Sequence, residues 1–359
     1  MENPTKRRRT KPVFFGDVQV GGDAPVVVQS MTCTDTRNVG ATVDQIKQLQ
    51  EAGCEIVRVA VPDEEAARAL PEIRKHIDIP LIADIHFNYR LALDAIMYGV
   101  EGIRVNPGNI GGDKMLEVVA AAKERGTVIR VGVNAGSLEK DLLKKYGGPT
   151  ASALVESAMN NLARVLDAGH EAIKLSVKSS DVSTMVEAYR ELSEKTDYPL
   201  HLGVTEAGSI MNAAIKSSIG IGILLHEGIG DTIRVSITGD PVSEIGVAFG
   251  ILRALGIRKV GPDIISCPTC GRCEIDLVSL TREIEEKVAG MKEYLKIALM
   301  GCVVNGPGEA AEADIGIAGG RGYGLLFKKG QVIKKVKEEE FTHTLLHEIH
   351  SMVAERKGK

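Results

Sequence analysis

Eight times between residues 26 and 254, a short run rich in Val and Ile gives way to a longer stretch with helical, amphipathic spacing. No other feature limits the possible folds so strongly, because strands that alternate with helices must pair in parallel through crossover connections. The strand candidates are 26–31, 55–61, 80–86, 102–107, 128–134, 172–177, 200–205 and 232–237. The helix candidates are 41–52, 63–77, 89–98, 112–125, 150–168, 181–195, 208–226 and 241–254. Eight βα units in roughly 230 residues match an α/β chain closed into a (β/α)8 TIM barrel. An open doubly wound sheet is the alternative, but it needs a reversal of strand order and gives no reason for eight units.

Past residue 255 the rhythm changes. A cysteine-bearing loop leads to a helix over 275–294, a short strand over 296–300, a glycine-rich hairpin region and a last helix over 338–356. This reads as a small α+β domain, so the expected division is 1–260 for the barrel and 261–359 for the second domain. Net charge of −4 gives no general pull toward DNA or anionic membranes, and aromatic content of 4 % without Trp argues against a base-stacking surface. No run approaches the roughly 20 apolar residues that cross a bilayer. The start has a basic run but no apolar region after it, and six sparse cysteines do not make a disulfide scaffold. A cytoplasmic protein is expected.

Four strands share one local pattern, a β-branched residue, then Arg, then Val, centred on Arg58, Arg104, Arg130 and Arg234; Lys174 occupies the matching place in a fifth. Side chains alternate along a strand, and in a barrel the large apolar neighbours face the helices. The five cations therefore face inward. Two residues further along the same face stand Ala60, Asn106, Gly132, Ser176 and Ser236, small or polar, which leaves room at the C-terminal mouth where barrel enzymes place their sites. Asp84, His86, Asn134, His201, Thr205 and Glu206 are expected at the same mouth. Asp84 and Glu206 compensate part of the charge. The excess points to an anionic, phosphate-type ligand, which the guanidinium fork binds through two oxygens. The competing reading is a structural ion-pair network. No P-loop pattern is present.

Cys267, Cys270 and Cys273 form CxxCxxC, and Cys302 follows at a distance. A zinc ribbon wants two separated CxxC pairs and a radical-SAM cluster a different spacing; an iron–sulfur cluster held by thiolates fits best. The Gly-Pro-Gly turn after Cys302 allows Glu309 to approach the same metal, as a harder and more exchangeable ligand than thiolate. A zinc-stabilised, RNA-binding protein using the basic run at 6–11 remains the rival from another class, although such runs are more often solvated tails. His343, His347 and His350 read as surface or packing residues of the last helix, and GGRGYG (319–324) as a hairpin.

The segments VQSMT (28–32), ADIHFN (83–88), IRVNPGNIG (103–111), RVGVNAGS (130–137), KLSVKSS (174–180), HLGVTEAG (201–208), RVSITGDP (234–241), SCPTCGR (266–272) and GCVVNGPGEA (301–310) together resemble the 4-hydroxy-3-methylbut-2-enyl diphosphate synthase family. The resemblance spans nearly the whole chain. It implies a dihydropteroate synthase-like barrel and a sulfite reductase-like second domain. It also implies a [4Fe-4S] cluster on Cys267, Cys270, Cys302 and Glu309, with Cys273 outside the family pattern. The implied reaction is the two-electron reductive ring opening of 2-C-methyl-D-erythritol 2,4-cyclodiphosphate, with electrons from ferredoxin or flavodoxin. Arg58, Arg104, Arg130, Lys174 and Arg234 would hold the diphosphate, and Glu206, or His86 with Asp84, would handle protons. Cys267 follows the eighth helix by only twelve residues, about 40 Å when fully stretched. The cluster is therefore expected at the far end of its own barrel, and a head-to-tail homodimer, which the resemblance also implies, would bring it to a partner's mouth.

Overall fold

The structure is a computed structural model, and it describes residues 7–106, 110, 112–303 and 311–357. It divides into two compact units, one ending at Arg258 and the other running from Lys259.

The first unit opens with a hairpin, β1 (Val13–Phe15) and β2 (Val18–Val20). Eight parallel strands follow: β3 (Val27–Met31), β4 (Ile56–Ala60), β5 (Leu81–Asp84), β6 (Gly102–Val105), β7 (Val128–Asn134), β8 (Ile173–Lys178), β9 (His201–Leu202) and β10 (Thr232–Ile233). They pair in the order β8-β7-β6-β5-β4-β3-β10-β9. A parallel bridge from Leu175 to Leu200 joins the two edge strands and closes the barrel. The main helices between and after them are α1 (Val39–Glu51), α2 (Glu64–Lys75), α3 (Tyr89–Met97), α4 (Gly112–Arg125), α5 (Lys140–Tyr146), α6 (Ala151–Asp167), α7 (Val182–Lys195), α8 (Ile210–His226) and α9 (Val242–Ala254). Side chains of Asn38, Asp63, Asn88, Thr150 and Asp181 accept backbone N–H bonds at five of the helix starts. These caps satisfy donors that the first turn leaves open, and they fix where each chain segment turns at the barrel mouth.

Two features of this unit depart from the expectation. The hairpin was not anticipated: Val13, Phe15 and Val20 pack on Val27, Ile56, Ile82 and Val128, the first inward residues of their strands, and so plug the barrel floor. The basic run, read as a solvated tail, is in part docked. Arg7 pairs with buried Asp231 at 2.7 Å. Arg8 donates to the carbonyls of Ser193, in the last turn of α7, and of Thr196 and Tyr198 just past it, where a helix C-terminus leaves acceptors open.

In the second unit β11 (Pro262–Ser266), β12 (Leu295–Met300), β13 (Ile315–Gly320), β14 (Tyr323–Lys328) and β15 (Gln331–Lys337) form one sheet in sequence order. The first three strands are parallel and the last two antiparallel. Helices α10 (Leu277–Val288) and α11 (Phe341–Lys357) supply Leu280, Ile284, Phe341, Leu345 and Ile349 to a core against Ile297, Leu299, Ile315 and Ile317. His343, His347 and His350 occupy the exposed face of α11. No helix among the described residues is long and apolar enough to cross a membrane.

Candidate active site

Strand register assembles the barrel interior. Asp84 is the Cα partner of Arg104, Arg104 of Arg130, and Arg130 of Lys174. The β-branched neighbours Val57, Val59, Ile103, Val105, Ile129 and Val131 are buried in the helix-facing layer. Arg58, Arg104, Arg130 and Lys174 are buried too, and Arg234 is nearly so. Arg58 and Arg104 share one carboxylate, and the others have partners of their own. Arg58 Nε lies 3.4 Å from Asp84 Oδ2, and Arg104 Nη1 3.2 Å from Asp84 Oδ1. Arg130 donates through Nε and Nη2 to Ser176 Oγ, at 3.1 and 2.9 Å. Lys174 reaches across the floor to Gln29 Oε1 at 3.4 Å, its ammonium 4.4 Å above the centre of the Phe15 ring.

Sequence reasoning missed two members. Lys178, 5 % exposed, lies two inward positions above Lys174 and four residues along β8. A Cβ at Gly203 would come within 2.7 Å of its Nζ, so glycine there leaves the space the lysine fills. The period-two alternation would have found it, had the strand been carried past Val177. Glu244, in the first turn of α9, is the second buried carboxylate in contact with the inward arginines. It takes Arg234 Nε and Nη2 at 3.1 and 2.9 Å. Glu206, expected to compensate the cations, instead lies exposed after β9 with a left-handed φ of 54°, a conformation that costs an ordinary residue energy and marks the loop.

The electrostatics follow from these placements. Burial raises the Asp84 carboxyl, but Arg58 and Arg104 outweigh it and hold the group below the ordinary carboxylate range. Burial takes Arg58 down to about 10, and burial with neighbouring cations lowers Arg130, Lys174 and Lys178 well below their ordinary values. His201 is lowered by the same combination; its Nδ1 bonds Thr232 Oγ1 at 2.8 Å. His86 Nε2 lies 3.1 Å from Arg104 Nη1. An arginine only donates, so this nitrogen accepts and a neutral ring carries its proton on Nδ1. With its amide oxygen turned to the guanidinium, Asn134 accepts from Arg104 Nη2 at 3.1 Å. Thr205 and Ser236 stand half-buried just beyond β9 and β10. Among the described residues, six inward cations share two buried carboxylates at the mouth, Asp84 and Glu244, while a third, Asp231, is taken up by Arg7, Thr10 and the Leu200 amide. Arg104 Nε and Arg130 Nη1 are buried donors with no protein acceptor. Such a chamber favours an anion.

In the second unit the cysteines follow the ends of β11 and β12. The Gly301 amide donates to Cys267 Sγ at 3.2 Å. Cys273 Sγ donates to the Ile275 carbonyl at 3.3 Å and packs so tightly on Gly301 that a Cβ there would lie 2.5 Å from it. Cys302 is the next residue, and Cys270 is exposed. Glu309 lies outside the described residues, and among those described no three metal-binding side chains converge on one point. The donor set still suits an iron–sulfur centre: thiols adjoin Gly301, and one sulfur already accepts an amide N–H, the kind of bond that stabilises cluster thiolates.

A closed parallel barrel with a cationic mouth defines the class first, an α/β-barrel enzyme built to hold an anionic substrate. Solved structures agree on the barrel: Yersinia pestis dihydropteroate synthase matches with TM-score 0.50 and 15 % identity, over 69 % of this chain and 99 % of that one. The same enzyme with a pterine-sulfa conjugate gives 0.51 and 13 %, over 68 % and 100 %. Residues 10–249 match the GcpE TIM-barrel domain and 263–351 the GcpE protein C-terminal domain. A relative from Maridesulfovibrio salexigens is 57 % identical over 98 % of this chain and 99 % of its own. One from Thermodesulfovibrio yellowstonii is 58 % identical over 96 % and 99 %. Both carry the name 4-hydroxy-3-methylbut-2-en-1-yl diphosphate synthase (flavodoxin). The chain belongs to the GcpE family.

Proposed function

We propose that this chain is an iron–sulfur 4-hydroxy-3-methylbut-2-en-1-yl diphosphate synthase that opens 2-C-methyl-D-erythritol 2,4-cyclodiphosphate by two-electron reduction with loss of water, in non-mevalonate isoprenoid biosynthesis. The observation that carries the reading is the excess of inward cations over carboxylates at one mouth, in a chain 57 % identical to a synthase of that name. A substrate with two phosphates supplies the missing negative charge.

Arg58, Arg104, Arg130, Lys178 and Arg234, with Asn134, His201, Thr205 and Ser236, bind the diphosphate, and Lys174 raises the potential from below. As the ring C–O bond breaks, charge grows on the departing phosphate oxygen; fixed guanidinium donors stabilise that charge without reorganising. Asp84 is held ionised by Arg58 and Arg104, so its work is to orient them rather than to give up a proton. Proton transfer falls to exposed Glu206 and to the Nδ1 side of His86. Cys267, Cys270, Cys302 and Glu309 would hold a [4Fe-4S] cluster, which supplies the electrons one at a time. Flavodoxin is the donor that the relatives' names support, with ferredoxin as the alternative.

The protein works as a head-to-tail homodimer in the cytoplasm, each cysteine unit serving its partner's barrel. The short connection from the end of α9 to Cys267, the last part of which is β11 itself, supports this arrangement. So does an apolar stripe on α8, where Met211, Ile215, Ile219 and Ile223 stand exposed at four-residue spacing. Anaerobically purified protein should be brown with about four irons per chain and turn over the cyclodiphosphate with reduced flavodoxin. Colourless protein holding zinc and inert toward that substrate would reject the reading. Mixing a Cys270→Ser chain with an Arg130→Met chain should restore activity if sites are shared, and no restoration would reject the dimer.

A further inference from the structure

Glu244 sits outside the barrel strands, yet its carboxylate gathers three of the pieces that shape the mouth. The side chain is 2 % exposed, in the first turn of α9. Its two oxygens take Arg234 Nε and Nη2 in a fork. Oε2 also accepts from Ser30 Oγ on β3 at 2.7 Å, and Oε1 from the Ile237 backbone N–H at 3.2 Å. Ile237 follows Ser236 directly, so one buried carboxylate fixes the Arg234 side chain and the peptide that carries Ser236. We infer that Glu244 is a positioning residue, which presets Arg234 and Ser236 for a diphosphate and leaves the outer edge of the guanidinium to bind it.

The donor count supports this. A guanidinium carries five N–H groups, and Glu244 occupies one on Nε and one on Nη2. Both N–H groups of Nη1 and the second of Nη2 stay available, on the edge that can still grip two phosphate oxygens. A guanidinium held in one rotamer gives up less freedom on binding than a mobile one. Arg58 and Arg104 are likewise anchored on one carboxylate, Asp84, by single contacts rather than a fork. Packing alone would not require four accepted bonds on one carboxylate; a neutral apolar side chain would fill the same space.

The inference rests on the proposed substrate, and the test separates the two. The full chain, loaded with its metal centre, is first assayed for cyclodiphosphate turnover and for inorganic pyrophosphate binding by calorimetry. Failure of the unaltered protein in both overturns the proposed function rather than the role of Glu244. In Glu244→Gln, an amide N–H is turned against a donor. KM and the pyrophosphate Kd should rise about 10- to 30-fold, the worth of one or two charge-assisted hydrogen bonds. Turnover number should stay within about threefold, with unchanged iron content and visible spectrum. Arg234→Lys should cost much less in the Glu244→Gln background than alone, because the two residues act as one unit. Should Glu244→Gln fold poorly, Ser30→Ala removes only one bond to Oε2 and should raise KM about two- to threefold at unchanged turnover. A lowered Tm with KM and Kd unmoved, in either variant, assigns Glu244 to packing and overturns the inference.

Discussion

The barrel and the second unit build their functional groups in opposite ways. Arg58, Arg104 and Arg130 sit within strands, flanked by buried Val and Ile, with Arg104 and Arg130 in direct register and Arg58 opposite Ile82. Cys267, Cys270 and Cys302 sit in the segments that follow β11 and β12, and Cys270 is exposed. The mouth is thus preformed without its substrate, and the protein carries the destabilisation of crowded cations in the absence of ligand. The cysteines impose little such strain, because a thiol left unliganded and partly exposed is a small, nearly neutral residue. Strand-held charge should trade stability against binding, whereas loop-held thiols should govern activity with little effect on the apo fold.

The largest expected effect comes from the loop. Cys270→Ser should lower activity by roughly a thousandfold or more, in line with losing a group that the reaction needs as a unit. The Tm of the metal-free chain should move by less than about 2 °C, since exposed substitutions are near neutral. Pyrophosphate binding should persist. A large fall in apo stability would break the contrast between the two regions.

The opposite signature is expected at Arg130. Among the described residues its charge meets the Ser176 hydroxyl and no carboxylate. Arg130→Met should weaken substrate binding roughly a hundredfold while raising the Tm of the ligand-free protein, because an unpaired buried cation gives way to apolar packing. Calorimetry and thermal melts on one preparation read both. A variant that loses stability as well as binding would show that the preformed charge is neutralised in some other way.

Most of the barrel was legible in sequence because period-two alternation and eight-fold repetition are strong, local signals. The inward cations were legible for the same reason: an Arg flanked by β-branched residues four times over leaves one geometry. The parts that stayed hidden depend on pairing between distant segments. Glu244 reads locally as an acid suited to the first turn of a helix, and only the packing of α9 on β3 brings it to Arg234 and Ser30. The Phe15 hairpin has three-residue strands, too short for periodicity to register. Arg7 and Arg8 looked like solvated charge because their partners, Asp231 and the carbonyls at the end of α7, lie about two hundred residues away. Glu206 went the other way. Sequence order made it a counter-charge to the cations, but it stands exposed in the turn after β9 with no described cation paired to it.

A pH titration sharpens the account of the floor. Lys174 is fully buried beneath Arg130, and burial with that neighbour pulls its ammonium well below the ordinary 10.5. Between the folded and unfolded values the unfolded chain binds more protons, so stability rises with pH across that window and levels off near 10.5. The ligand-free protein should therefore gain stability from neutral pH toward 10. Lys174→Met should flatten that rise and start from a Tm a few degrees higher, about 2–4 °C for a chain of this size. A pH profile identical in the two proteins would mean that Lys174 pays no burial cost, and the crowding argument would lose its deepest member.

The smallest effect is the most discriminating for the cysteine unit. Cys273 completes a CxxCxxC run, and composition alone makes it as good a ligand as its neighbours. Its position says otherwise. The sulfur donates to the Ile275 carbonyl and packs against Gly301 and the core built around Leu277 and Ile284. A thiol with its proton committed to a carbonyl is poorly placed to serve as a thiolate. Cys267 Sγ, by contrast, accepts the Gly301 amide N–H. Two sulfurs that adjoin the same glycine therefore stand in opposite hydrogen-bonding roles. Cys273→Ser keeps a donor of similar size, so iron content, visible spectrum and activity should all stay within about twofold of the unaltered protein. Loss of iron in that variant would make Cys273 a ligand and free Glu309 from the role proposed for it. Retention of iron, together with its loss in Cys267→Ser, would show that hydrogen-bond direction, rather than spacing in the chain, separates ligand from neighbour.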